Sequence, residues 1–220
     1  MVEDPVTNKP RWLRDLVRFL SLKSQFVLTG NIRDLQAYEM EGGAVAAVPL
    51  SLCLDRELRA FGYRDVIAFA PMQGFSLQGG TTNSELSEVM SRNGLGTDNA
   101  AGMGLDVLTA ALEPFTASTG EPAALIIDFA SRLVNRSDAL SAAEHALFTR
   151  AQILSHTANT RPVGDSRKPF YNSIIWIAER ETDLPDWLTL DNPKLRHIPV
   201  APPDNLIRRS VSRMLICAES

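Results

Sequence analysis

The chain has 220 residues, 45% of them hydrophobic and 22% charged, with a formal net charge of −4; this is the composition of a globular protein long enough to bury one sizeable core. A pI near 5.4 argues against a nucleic-acid or anionic-membrane footprint, the local basic run LIRRSVSR notwithstanding. No apolar run nears the roughly eighteen residues of a membrane span, the first twenty residues mix charged with apolar ones unlike a signal peptide, and Cys53 and Cys217 match no metal or redox spacing, so free thiols in the cytoplasm are expected.

In chain order, RWLRDLVRFLSLK places Trp12, Leu13, Leu16, Val17 and Leu20 at helical spacing behind Pro10 and predicts an amphipathic first helix. QFVLTG then reads as a buried strand stopped by Gly30. After a loop with Gly42, Gly43 and Pro49, LSLCLDRELRAFGY reads as a helix ended by Gly62 and DVIAFAP as a second strand ended by Pro71. The polar tract from Gly74 to Gly104 holds seven glycines and is expected to be a long mobile loop with at most one helical turn near SELSEVM, first cut by trypsin at Arg92.

GLDVLTAALEPF follows as a helix and AALIIDFA as a third strand; SDALSAAEHALFTRAQILSHTA predicts a long helix with Ser137 as its N-cap. A second polar loop, NTRPVGDSRKP, precedes a fourth strand in SIIWIAE; RHIPVAP makes a short fifth strand, and PDNLIRRSVSRML a closing helix. Near-continuous apolar strands separated by helices predict a three-layer, doubly wound α/β sheet of about five mainly parallel strands. The expectation is one domain over residues 1–220, with no internal repeat.

This layout resembles the core of an AAA+ ATPase. LIIDFA is similar to the Walker B strand, with Asp128 in the magnesium-binding place; QFVLTGN is similar to the strand that feeds the phosphate loop; and the stretch from Ser173 to Arg208 has the order of the second half of such a core, with Arg208 as the early arginine of its last helix. The catalytic parts depart from the pattern. No Gly-Lys-Ser/Thr follows Gly30, whereas a phosphate loop needs a lysine for the β and γ oxygens and a hydroxyl for magnesium. Phe129 stands where the water-orienting glutamate belongs, and Glu179 and Arg180 end the fourth strand in place of a polar sensor. The form resembles the degenerate first domains of tandem AAA ATPases, where Asp-Phe replaces Asp-Glu, without a helical lid after the last helix.

What the resemblance implies is a non-catalytic module for assembly, regulation or partner recruitment of an ATPase, without a cofactor of its own. Its partners would be a catalytic AAA domain in the same or another chain, another protein, or further copies of itself, with no membrane or nucleic acid, and the chain can be read as a fragment of a longer one. The alternative is a nucleotide-binding domain or weak NTPase in which Asp128 holds magnesium and an unconventional loop holds ATP phosphates. TGNIRD, with Gly30 and Asn31, is the first candidate for that loop and GFSLQGGTTNS the second. Other chemistry finds less footing: His145, His156 and His197 lack zinc spacing, no Gly-x-Ser-x-Gly elbow is present, and Asp128 with Glu179 is the one carboxylate pair to consider for acid–base work. Trp12, Trp176 and Trp187 read as packing residues.

Overall fold

In a computed structural model, residues 9–39, 45–79, 82–96, 104–163, 168–190 and 192–202 are described. The chain runs through α1 (Arg11–Phe19), β1 (Gln25–Gly30), the hairpin strands β2 (Gln36–Glu39) and β3 (Val45–Val48), α2 (Leu50–Phe61), β4 (Asp65–Ala70) and β5 (Gly74–Leu77). It continues through α3 (Asn83–Arg92), α4 (Leu105–Ala117), β6 (Ala123–Ile127), α5 (Ala142–Thr157), β7 (Arg161–Val163), β8 (Lys168–Phe170), β9 (Ser173–Ile177), α6 (Asp186–Thr189) and β10 (Leu195–Val200).

Six strands form one sheet in the order β10-β1-β9-β6-β4-β5. Five are parallel; β5 returns antiparallel on β4 and closes one edge. The period-2 alternation of side chains divides the strands between two cores. Val27, Leu125, Ile127, Ile174 and Trp176 point to the face covered by α3, α4, α5 and α6, and Phe26, Leu28, Ile126, Ile175 and Ile177 to the face covered by α1 and α2. Both layers are buried, which is why the strands carry apolar residues at nearly every position. The α/β expectation is met, with a sixth strand added.

The chain leaves β1 toward the α2 face and leaves β6 and β9 toward the other, while β4 returns within the sheet as β5. Neighbouring strands β1 and β9 therefore diverge at their C-terminal ends, which is where open α/β sheets place ligands.

Three expectations need correction. The tract from Gly74 to Gly104 is not a plain loop: Phe75 anchors β5 at 3% exposure, and α3 is a ten-residue helix whose Val89 and Met90 are buried. The N-cap of α5 is Ser141, not Ser137, because Ser141 and Glu144 cap each other. The polar segments after Gly30 and before Ser173 hold the small hairpins β2–β3 and β7–β8. The closing helix, Arg208 and Cys217 lie outside the described residues.

Candidate functional site at the strand ends

Gly30 ends β1 with φ +94°, and a Cβ there would stand 2.8 Å from the Val200 carbonyl oxygen; glycine is what lets the turn pass. The backbone donors of this turn are engaged inside the chain. Gly30 N–H donates to the Glu179 carbonyl at 3.3 Å, Asn31 N–H to Val200 at 2.9 Å and Ile32 N–H to Gly30 at 2.8 Å. Gln36 Nε2 closes the turn on the carbonyls of Asn31 and Asp34, at 3.2 and 3.1 Å. Phosphate binding after a strand uses free N–H groups at the start of a helix; here the next element is β2. The buried Nδ2 of Asn31 has no hydrogen-bond partner.

Asp128 lies one residue beyond β6, its N–H bonded to the Phe69 carbonyl at 2.8 Å. Its Oδ1 accepts from the N–H of Phe129 at 2.7 Å and from Arg33 Nη1 at 2.8 Å. The Arg33 guanidinium also sits 3.7 Å from the centre of the Phe129 ring, within cation–π range. Phe129 takes left-handed backbone, φ 52°, and the residue is 38% exposed.

Beside it, Ser131 joins the ends of β6 and β9. Its hydroxyl accepts from Glu179 N–H at 2.7 Å and donates to Asp183 Oδ2 at 2.7 Å, which also accepts from Arg180 N–H at 3.0 Å. Glu179 pairs with Arg132 at 3.0 Å. Arg132, Asn135, Arg136, Glu179, Arg180 and Asp183 line a polar cleft of about 440 Å³. On the β10 side, His197 Nε2 shares a 2.7 Å hydrogen bond with Thr29 Oγ1, and its Nδ1 lies 3.4 Å from Glu181. This hydroxyl–imidazole–carboxylate series ties β1, β10 and the turn after β9, and the Thr29 hydroxyl belongs to a buried residue.

The sequence candidates thus lie at the carboxyl ends of the central strands, but not as a convergent set. Gly30 and Asn31 sit at the end of β1 and Asp128 at the end of β6, with the Arg33 side chain reaching across from the β1 turn to the carboxylate. Asp128 and Glu179 each pair with an arginine of their own, Arg33 and Arg132, so the two carboxylates face separate cations. His145 packs near Trp187, with ring centres 5.8 Å apart, and Trp176 is a core residue bonded to Gln25 Oε1 at 3.1 Å. Sequence reasoning missed Arg33 and Ser131 as organisers. Arg33 lay inside the TGNIRD run, and its partner is 95 positions away.

A family model described as AAA+ chaperone, N-terminal Rossmann-like domain matches residues 4–201. No curated protein matches the chain. No helix among the described residues is long and apolar enough to cross a membrane.

Proposed function

The chain belongs to the AAA+ chaperone, N-terminal Rossmann-like domain family, and from that premise we propose that this ATPase-associated module does no nucleotide chemistry itself and serves assembly, regulation or partner recruitment. The observation that carries the reading is the closed turn after β1. Its first three N–H groups are spent on Glu179, Val200 and Gly30, and a hairpin stands where a phosphate-binding helix would begin. No lysine stands in that turn, and its one cation, Arg33, is paired with Asp128 rather than held for a transferring phosphoryl group.

What the same strand ends offer is surface for a protein. Met72, after β4, is 85% exposed, and Phe129 and Leu35 are partly exposed beside charged residues. Among the described residues, Met72 and Phe129 are the non-glycine residues with positive φ. Each such conformation costs roughly 1 kcal/mol or more, and both rest on large apolar side chains turned toward solvent. The partners this suits are a catalytic AAA module, a second copy of the chain, or another protein in the cytoplasm.

Calorimetric titration with ATP and ADP in the presence of magnesium, together with a phosphate-release assay, tests the reading. No binding heat and no turnover above background are expected. Magnesium-dependent turnover abolished by Asp128→Ala would overturn it and restore the NTPase alternative.

A further inference from the structure

We propose that Arg33 is the resident cation of the Asp128 position: its guanidinium takes the place in which an AAA+ domain would hold a divalent metal, so the chain neutralises its own strand-end carboxylate. AAA+ membership suggests magnesium and a nucleotide, but the residues present do not fit that pair. Asp128 Oδ1 already accepts two hydrogen bonds, from Arg33 at 2.8 Å and from Phe129 N–H at 2.7 Å. A hard divalent cation wants about six oxygen ligands, and no group of three acidic, histidine or cysteine residues able to hold a metal occurs among the described residues. A metal arriving at Asp128 would also meet the positive guanidinium, which lies over the Phe129 ring.

Phe129 has a share in this. Its left-handed backbone turns its ring under Arg33, at 3.7 Å, so the residue standing in the glutamate's place seats the cation. The two departures, the lost lysine loop and Asp-Phe for Asp-Glu, are then one arrangement: the turn after β1 supplies an arginine to the carboxylate instead of N–H groups to a phosphate. This rests on the reading of the module as non-catalytic. Nucleotide held by some other loop would refute that reading while leaving the metal result below unchanged.

The test uses manganese alone as a paramagnetic probe, read from the amide NMR signals of the full chain. In the wild type, millimolar manganese should leave the signals of residues 127–131 no broader than those of other surface loops. Arg33→Gln keeps a planar group over the ring and removes the charge; it should give several-fold greater broadening there, lost again in Arg33→Gln/Asp128→Asn. Arg33→Lys should behave as the wild type does. Arg33→Ala serves as the second uncharged variant if Arg33→Gln fails to give a dispersed spectrum. Selective broadening of residues 127–131 in the wild type, or a folded uncharged variant with none, overturns the proposal.

Discussion

Asp65 shows how much a single buried carboxylate can depend on its neighbours. At 4% exposure it takes Arg92 Nη2 at 2.5 Å, Arg92 Nε at 2.8 Å and Asn93 Nδ2 at 2.7 Å. Burial pushes its pKa up, but the hydrogen bonds from Arg92 and Asn93, with the charges of Arg92 and Arg64, outweigh it and hold the carboxyl below its ordinary value. With the folded pKa depressed, the stabilisation is complete above the unfolded value of roughly 3.9 and is lost as pH falls through the folded one. Asp65→Asn should therefore cost about 2 kcal/mol near neutral pH and flatten the loss of stability below about pH 4. Urea unfolding at a series of pH values reads both effects, and an unchanged acid limb in Asp65→Asn would refute the assignment. The same pair ties Arg92, the expected first tryptic site, bidentately to the start of β4. Sequence could not foresee this, because Asp65 and Arg92 share no motif, only a place. Cys53, in contrast, was legible as a free thiol; burial, with Glu57 nearby, pushes it up to about 12, so it stays protonated and unreactive.

At the scale of elements, α3 and α5 begin with reciprocal caps. In α5, Ser141 N–H donates to Glu144 Oε2 at 2.6 Å, Glu144 N–H donates to Ser141 Oγ at 3.3 Å, and Glu144 Oε1 also accepts from Asn135 N–H at 2.9 Å. The backbone bond from Ser141 comes first among the causes that hold the Glu144 carboxyl below its ordinary range, with burial opposing. In α3, Thr82 and Glu85 make the same box at the exposed surface. Glu144 is 4% exposed and serves two backbone donors, so Glu144→Ala should cost about 2 kcal/mol against at most about 1 for Glu85→Ala. Equal shifts of the urea midpoint would show that the link to Asn135 adds nothing. Both boxes are written in the sequence, as Thr82-Asn83-Ser84-Glu85 and Ser141-Ala142-Ala143-Glu144. The glycines around α3 hid the first, and the choice of Ser137 overlooked that residue 140 is a leucine, which cannot return a cap.

For the molecule as a whole, the near-continuous apolar runs made a buried parallel sheet legible, but not which strands are neighbours, since β1 lies between β10 and β9 through connections that leave no local signal. That order also decides how the protein should unfold. Each central strand contributes alternate residues to both cores: Phe26 and Leu28 to one and Val27 to the other, Ile126 to one and Leu125 and Ile127 to the other. Neither layer can melt without stripping the shared strands of half their burial, at roughly 25 cal/mol per Å² of apolar surface exposed. Two tryptophans report the faces separately. Trp12 is buried among the α1–α2 residues, Trp176 is fully buried on the other face against Phe148, and Trp187 is partly exposed. In a Trp187→Phe background, one variant keeps Trp12 and replaces Trp176 with Phe, and the other does the reverse. The first loses the indole bond to Gln25 and should be less stable, so fluorescence is compared with far-UV circular dichroism within each variant. In both, the two urea transitions should coincide, as expected of a single cooperative unit. If Trp12 reported unfolding at lower urea than circular dichroism, the α1–α2 layer would be a separate unit that peels from the sheet, and the shared-strand argument would fail.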